Sequence, residues 1–393
     1  MKNVKRKVYL DSAATTYINP EVMQEMMECM TGCFGNASSM HSFGRDALNK
    51  IDEARSMVAK TINAKPREIY FTSGGTEANN WAIYGLAHAN KSKGKHIITT
   101  KIEHESVLRA CKRLEEEGFK ITYLNVDETG LIKLTELMRY LKNDTCLVSI
   151  MTTNNEVGTI QYINTIARTC KEKGAVFHTD MVQSYGNMRI NVQELLVDSI
   201  SISSHKIYGP KGVGALYVKE GTLIESFVVG GSQEYGKRGG TSNVSGIVGF
   251  AKAAQIAYRD LDINYNKIQA LRNYLQNKIT MEIPDVKVNG NILQRAPSIL
   301  NVCFKYVDNE SLLTMLDLEG IAVSIGSACT AGSFEPSHVL EAMGLSLEDR
   351  KTAIRFSIGK NISKDDIDYT VDKLKTIVAK LREISALNSK SKK

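Results

Sequence analysis

The chain has no apolar run near the roughly 20 residues that a bilayer span requires, so no membrane segment is expected. At the N-terminus, "MKNVKRKVYLDSAATT" follows its basic residues with only a short apolar stretch that Asp11 interrupts. That is not the pattern of a secretory signal, and a cytoplasmic protein is expected. No CxxC pair occurs among the seven cysteines, Cys29, Cys33, Cys111, Cys146, Cys170, Cys303 and Cys329. Their odd number and scatter argue against a disulfide framework and fit a reducing compartment. Cys29 and Cys33 fall i,i+4 on a predicted helix, but two thiols fall short of the four ligands of a structural zinc, so no metal is expected. Neither the Walker pattern GxxxxGK[ST] nor the dinucleotide fingerprint is present. Net charge is +7, yet no basic patch is interleaved with aromatics. Direct nucleic-acid readout is not expected, and the charge reads as a solvated surface, part of it in the tail "SKSKK". No internal repeat is visible.

What remains is an ordinary globular composition: 393 residues, 42% hydrophobic and 24% charged, enough for a large core and two or three domains. Pro20 to about Thr31 reads as a helix capped by Asn19. "FGRDALNKIDEARSMVAKTI" reads as a second, with a stripe at Leu48, Ile51, Ala54, Val58 and Ile62. Short apolar runs then alternate with amphipathic helices: "EIYFTS", "HIITT", "ITYLNV", "CLVSIM", "AVFHTD", "SISIS" and "GALYV". This alternation predicts an α/β fold with a mostly parallel sheet covered on both faces, and ligands beyond the carboxyl ends of its strands. After about Ala257 the pattern changes. "YRDLDINYNKIQALRNYLQNKI" predicts one long helix. "SILNVCF", "GIAVSIG" and "AIRFSIG" predict strands of a smaller α/β domain. A final helix follows, with Ile367, Val371, Leu374, Ile377 and Val378 on one face. The expected division is a large domain over 16–262 and a small one over 1–15 and 263–393.

Three stretches carry chemistry. "FTSGGTEAN" runs strand, glycine turn, helix, and could cradle an anion on backbone N–H groups with Thr76. In "AVFHTDMVQSYG", Asp180 ends a strand, where a carboxylate could hold a protonated ring nitrogen, and Gln183 could donate to a ring oxygen. In "SISSHKIYGPKGVGALYV", Lys206 follows Ser203 and His205 at a strand end, a pattern that suggests a Schiff-base lysine beside a phosphate site. "SIGSACTAGSFEP", about 324–336, surrounds Cys329 with small residues.

Together these stretches resemble the fold-type-I pyridoxal-phosphate enzymes. With "RGGTSN" and "GSACTAGSFEPSHVL" added, the chain resembles the cysteine desulfurase family, in the group with the longer cysteine loop. The resemblance runs from "VYLDSAATT" to "IRFSIGKNISKDDID" and implies a pyridoxal 5'-phosphate enzyme that converts L-cysteine to L-alanine. Lys206 then matches the cofactor lysine and Cys329 the nucleophile that carries the persulfide. Gly75, Thr76, Ser203 and His205 match phosphate-binding positions. Thr241 matches a residue that reaches the phosphate of the neighbouring subunit, which implies a homodimer. Asp180 matches the partner of the pyridine nitrogen, and Gln183 and Asn155 those of the ring oxygen. His104 matches the histidine stacked on the ring and is the candidate acid/base. Arg355 matches the grip on the substrate carboxylate, with Asn155 and Asn36 orienting it.

The implied partner is a sulfur-acceptor protein, with iron–sulfur cluster assembly the leading pathway; tRNA thiolation, cofactor synthesis and DNA sulfur modification remain alternatives. Relatives that serve an iron–sulfur scaffold often end in a longer tail than "LNSKSKK", which puts the usual docking site in question. A selenocysteine lyase or an aminotransferase is the alternative within the cofactor class. A non-catalytic scaffold is the alternative outside it. The small residues around Cys329 predict a loop able to travel between the cofactor and an acceptor, anchored at Pro336 and the helix after it.

Overall fold

The computed structural model describes residues 6–326 and 336–384. Cys329, and the expectation of a travelling loop around it, lie outside the described residues. The chain opens with β1 (Val8–Tyr9), α1 (Pro20–Gly32), α2 (Ser42–Thr61), β2 (Ile69–Thr72), α3 (Gly75–Ala89), β3 (His96–Thr100), α4 (Glu105–Glu116) and β4 (Lys120–Leu124). It continues with α5 (Leu134–Tyr140), β5 (Thr145–Ser149), α6 (Ile163–Glu172), β6 (Val176–Asp180), α7 (Val192–Leu195), β7 (Ser199–Ser203) and β8 (Gly214–Val218). Then come α8 (Gln233–Gly236), α9 (Val244–Arg259), α10 (Leu261–Glu282), β9 (Val286–Asn289), β10 (Ile299–Phe304), α11 (Asn309–Leu318) and β11 (Ile321–Ala322). The last elements are α12 (His338–Ala342), α13 (Leu347–Arg350), β12 (Ala353–Ser357) and α14 (Lys364–Ile384).

The seven predicted apolar strands form one sheet in the order β2-β8-β7-β6-β5-β3-β4. Only the pairings of β8 with β2 and with β7 are antiparallel. One face packs under α2, α6 and α9, around Val58, Val148, Phe177, Ile200 and Phe250. The other packs under α3 and α4, around Trp81, Leu86, Val107 and Leu147. A separate core joins β1, β10, β12, α10, α11 and α14. There Ile367, Val371, Leu374, Ile377 and Val378 of α14 are all buried, as their i, i+4, i+7 spacing predicts.

Several expectations need correction. Leu48 is 43% exposed, and Ala47 takes its place on the stripe that faces α9. The predicted long helix is two helices meeting at Asp260, which caps the C-terminus of α9. The sequence reading passed over α9, where Gly246 and Gly249 weaken the helical signal. A Cβ at Gly249 would lie 2.6 Å from Met26, so glycine there permits the close approach of α1 to α9. Of "GIAVSIG", only Ile321–Ala322 forms a strand, paired in parallel with β1, while Ser324 bridges to Arg355.

Candidate active site

The strands β2, β3, β5, β6 and β7 run in one direction, so their carboxyl ends share an edge of the sheet. The loops leaving that edge enclose a cavity of about 150 Å³. Into it come Gly75 and Thr76 from the β2–α3 turn, His104 after β3, Asn155 after β5, Asp180 and Gln183 after β6, and Ser203, His205 and Lys206 after β7. Arg355 arrives from β12 in the smaller core. Ten predicted site residues, separated by up to 280 positions in the chain (355 − 75), thus share one cavity.

Asp180 is buried at the end of β6, where its Oδ1 accepts from Val182 N (2.8 Å) and its Oδ2 from Asn79 Nδ2 (2.7 Å). Lys206 donates from Nζ to the carbonyls of Ala13 and Ala14, the latter at 2.7 Å. Gln183 donates to the same Ala13 carbonyl (3.0 Å). Ala13 and Ala14, in the segment after β1, therefore face these two residues with backbone oxygens, a role that composition cannot reveal.

Near the α3 N-terminus the groups fit a phosphate. Gly74, at φ 150°, provides no side-chain cap for the helix, so its first N–H groups point toward the opening. A Cβ at position 75 would lie 2.8 Å from Val182, so glycine keeps the cradle open. Ser203 Oγ is buried without a hydrogen-bond partner, a cost that a ligand oxygen would remove. His205 is pushed down to about 4 by burial and then by the Lys206 and Lys211 charges, so at neutral pH its imidazole is uncharged. Its Nδ1 lies 3.1 Å from Thr15 Oγ1. These residues fit pyridoxal phosphate: a phosphate cradle, a carboxylate for the ring nitrogen and a lysine in the same cavity.

Arg355 is 1% exposed. Its Nη2 pairs with Asp11 (2.8 Å) and its Nη1 donates to the Asn155 carbonyl (3.0 Å). Behind His104, Glu103 is fully buried and pushed up to about 8 by desolvation. It accepts from Thr100 Oγ1 (2.7 Å) and Met151 N (3.0 Å).

Two predicted residues lie elsewhere. Thr241 is exposed and borders a second hollow with Ser73, Gly212 and Arg238. Asn36 is exposed in the α1–α2 connection, where its Oδ1 accepts from Ser38 N. The described residues on either side of 327–335 are tied beside the cavity. Ser324 exchanges backbone bonds with Arg355, Ser337 donates to Glu156 (2.5 Å), and His338 bonds the Glu103 carbonyl (3.0 Å). Sequence reasoning missed Asp11, Asn79 and Ser106. Asn79 lies one turn after Thr76 on α3, and a polar residue on the buried face of a helix is the signal that could have found it.

Residues 8–370 match the family Aminotransferase class-V. The chain is 50% identical over 382 residues to Cysteine desulfurase IscS of Dictyoglomus turgidum, covering 97% of each chain. It is 46% identical to Cysteine desulfurase IscS of Clostridium botulinum, covering 98% of this chain and 97% of the relative. Among solved structures, a NifS-like protein superimposes with a TM-score of 0.90 at 37% identity, over 95% of this chain and all of the other. The chain thus belongs to the class-V aminotransferases, in their cysteine desulfurase branch, and its cofactor is pyridoxal phosphate.

Proposed function

We propose that this protein is a cytoplasmic, homodimeric cysteine desulfurase. It converts L-cysteine to L-alanine and passes the sulfur from Cys329 to an acceptor protein, foremost for iron–sulfur cluster assembly. The observation that carries the reading is the convergence of Lys206, Asp180, His104 and Arg355 on one cavity. Bound pyridoxal phosphate supplies an electron sink that makes the substrate Cα proton acidic. Asp180 keeps the proton on its ring nitrogen. Gly75, Thr76, Ser203 and His205 would hold its phosphate, and Gln183, Asn155 and His104 would hold its ring.

Arg355 grips the substrate carboxylate, with Asn155 beside it. Lys206 Nζ takes the Cα proton. The Cys329 thiolate attacks the substrate sulfur, forming an S–S bond as the Cβ–S bond breaks. The electron pair stays on Cβ, where protonation yields the methyl group; Lys206 returns its proton to Cα to complete alanine, and the protein holds a persulfide.

Thr241 reaches the phosphate of a second copy, a role supported by its position outside its own chain's cavity. The exposed stripe Met23, Met27, Met30 on α1 is an apolar face that a second copy would cover. Asn36, exposed in the α1–α2 connection and outside its own chain's cavity, reaches the substrate only in such a dimer.

The test is alanine formation by the pyridoxal-phosphate-loaded protein with L-cysteine and a thiol reductant. Cys329→Ser should reduce it at least about 100-fold. Alanine release at the wild-type rate by that variant would overturn the assignment. L-Selenocysteine as the far better substrate would make the protein a selenocysteine lyase.

A further inference from the structure

His104 is the N-cap of α4, and its Nδ1 lies 3.1 Å from the backbone N of Ser106 and 2.8 Å from Ser106 Oγ. A backbone N–H can only donate, so Nδ1 carries a lone pair. The hydroxyl also has its role fixed from behind. Asn79 Nδ2 lies 2.9 Å from Ser106 Oγ and 2.7 Å from Asp180 Oδ2. A carboxylate 2.7 Å away selects the amide nitrogen at that place, and both of its hydrogens are then used. Asn79 Oδ1 is left buried without a partner; the flipped amide would set that oxygen against the Asp180 carboxylate instead. Ser106 Oγ accepts from Asn79 and therefore turns its own hydrogen to His104 Nδ1. Asn79 thus donates both ways, to Asp180 and to Ser106, and Ser106 donates on to His104; Asn79 and Ser106 are 1% and 7% exposed.

We propose that Asn79 and Ser106 are positioning residues that fix His104 as the neutral tautomer with its hydrogen on Nε2, so that His104 meets bound substrate as a hydrogen-bond donor and not as a base. This goes beyond the desulfurase reading and takes from it only the placement of His104 over the cofactor. It also replaces the acid/base role that the sequence suggests.

The surroundings oppose an imidazolium. Protonation would put a hydrogen on Nδ1 against two donors and add positive charge at the start of α4, where the helix dipole is already positive. Lys206 and Arg355 line the same cavity, and His205 beside them is uncharged. Of the nearby carboxylates among the described residues, Asp180 is engaged through Asn79 and Val182, Glu103 is buried and pushed up, and Glu105 pairs with Arg109. A donating Nε2–H suits a site where an electron-rich sulfur or carbon develops, while Lys206 handles the proton.

The test is nitrogen NMR of protein labelled with 15N-histidine, with and without pyridoxal phosphate. The chain has seven histidines, and His104→Gln identifies the signal in question. The expected spectrum has a bare Nδ1 and a protonated Nε2, unchanged from about pH 8 to about pH 6. A protonated Nδ1, or an imidazolium at neutral pH, overturns the proposal. Ser106→Ala should shift the tautomer balance toward a hydrogen on Nδ1, with Ser106→Thr restoring the wild-type spectrum. Asn79→Ala should act in the same direction, because it frees the hydroxyl to turn away. A Ser106→Ala spectrum identical to wild type overturns the positioning role. Because the spectrum is read without turnover, a protein inactive on cysteine would refute the desulfurase reading and leave the tautomer result standing.

Discussion

Arg55 on α2 and Arg355 on β12 are both buried and both paired with a carboxylate, yet they do different work. Arg55 gives both terminal nitrogens to Glu234 (2.6 and 2.9 Å) and a further bond to the Ile69 carbonyl (2.7 Å). It lies between the rings of Phe71 and Tyr235, and Glu234 also accepts from Phe71 N. Arg355 gives one nitrogen to Asp11 and one to a carbonyl, and its fork borders the cavity. Burial alone therefore does not say what an arginine is for. A fork filled by one carboxylate is closed and structural, whereas a divided fork can take a ligand carboxylate.

The largest effect should come from breaking the closed pair. Arg55→Ala leaves Glu234 buried without its cation and should cost about 3–5 kcal/mol in denaturant unfolding. Glu234 and Tyr235 hold left-handed φ values of 47° and 56°, so the segment leading to Thr241 should loosen with it. Replacing both partners by apolar residues, Arg55→Met with Glu234→Leu, should recover much of the loss, whereas an Arg55→Ala cost below about 1 kcal/mol would erase the contrast.

Arg355→Ala should do the reverse, lowering kcat/KM for L-cysteine about 10²–10³-fold while unfolding stability changes far less than in Arg55→Ala. Arg355→Lys should rescue little, because an ammonium cannot form the two-pronged contact. A stability loss matching that of Arg55→Ala, with KM unchanged, would make Arg355 structural too.

The two arginines also mark how far the sequence could be read. The seven strands were legible as apolar runs, and Asp180, Ser203 and Lys206 as residues at their carboxyl ends. The signal there is local. The status of Arg355 depends on Asp11, 344 positions away, and on the Asn155 carbonyl. Asn79 and Ser106 gain their roles only when α3 and α4 pack side by side. Leu48 fitted the helical period, but the position of α9 decided which side of α2 was buried. Local pattern fixes element type; long-range packing fixes partners.

Glu103 sharpens the comparison as a buried carboxyl hydrogen-bonded to a hydroxyl and a backbone N–H, with no cation among those contacts. Desolvation raises it from 4.5 to about 8. A raised acid favours folding while protonated, so its contribution is complete below the unfolded value and declines as pH rises toward the folded one. Between about pH 6 and pH 8 the protein should lose about 2 kcal/mol of stability from this group. Glu103→Gln should remove that slope in denaturant titrations at several pH values. An unchanged slope would mean that Glu103 is ionised in the folded protein.

The smallest effect separates two roles for Asp11. Its carboxylate neutralises Arg355 and also repels an incoming substrate carboxylate. Asp11→Asn keeps an acceptor oxygen on the guanidinium and removes the charge, so geometry is retained and repulsion is lost. KM for L-cysteine should fall about three- to tenfold, the range that roughly 1 kcal/mol commands, with kcat little changed. A rise in KM would show that Asp11 aims the arginine more than it competes for it. Arg355 would then resemble Arg55, fixed by its carboxylate, and differ from it only in facing a cavity.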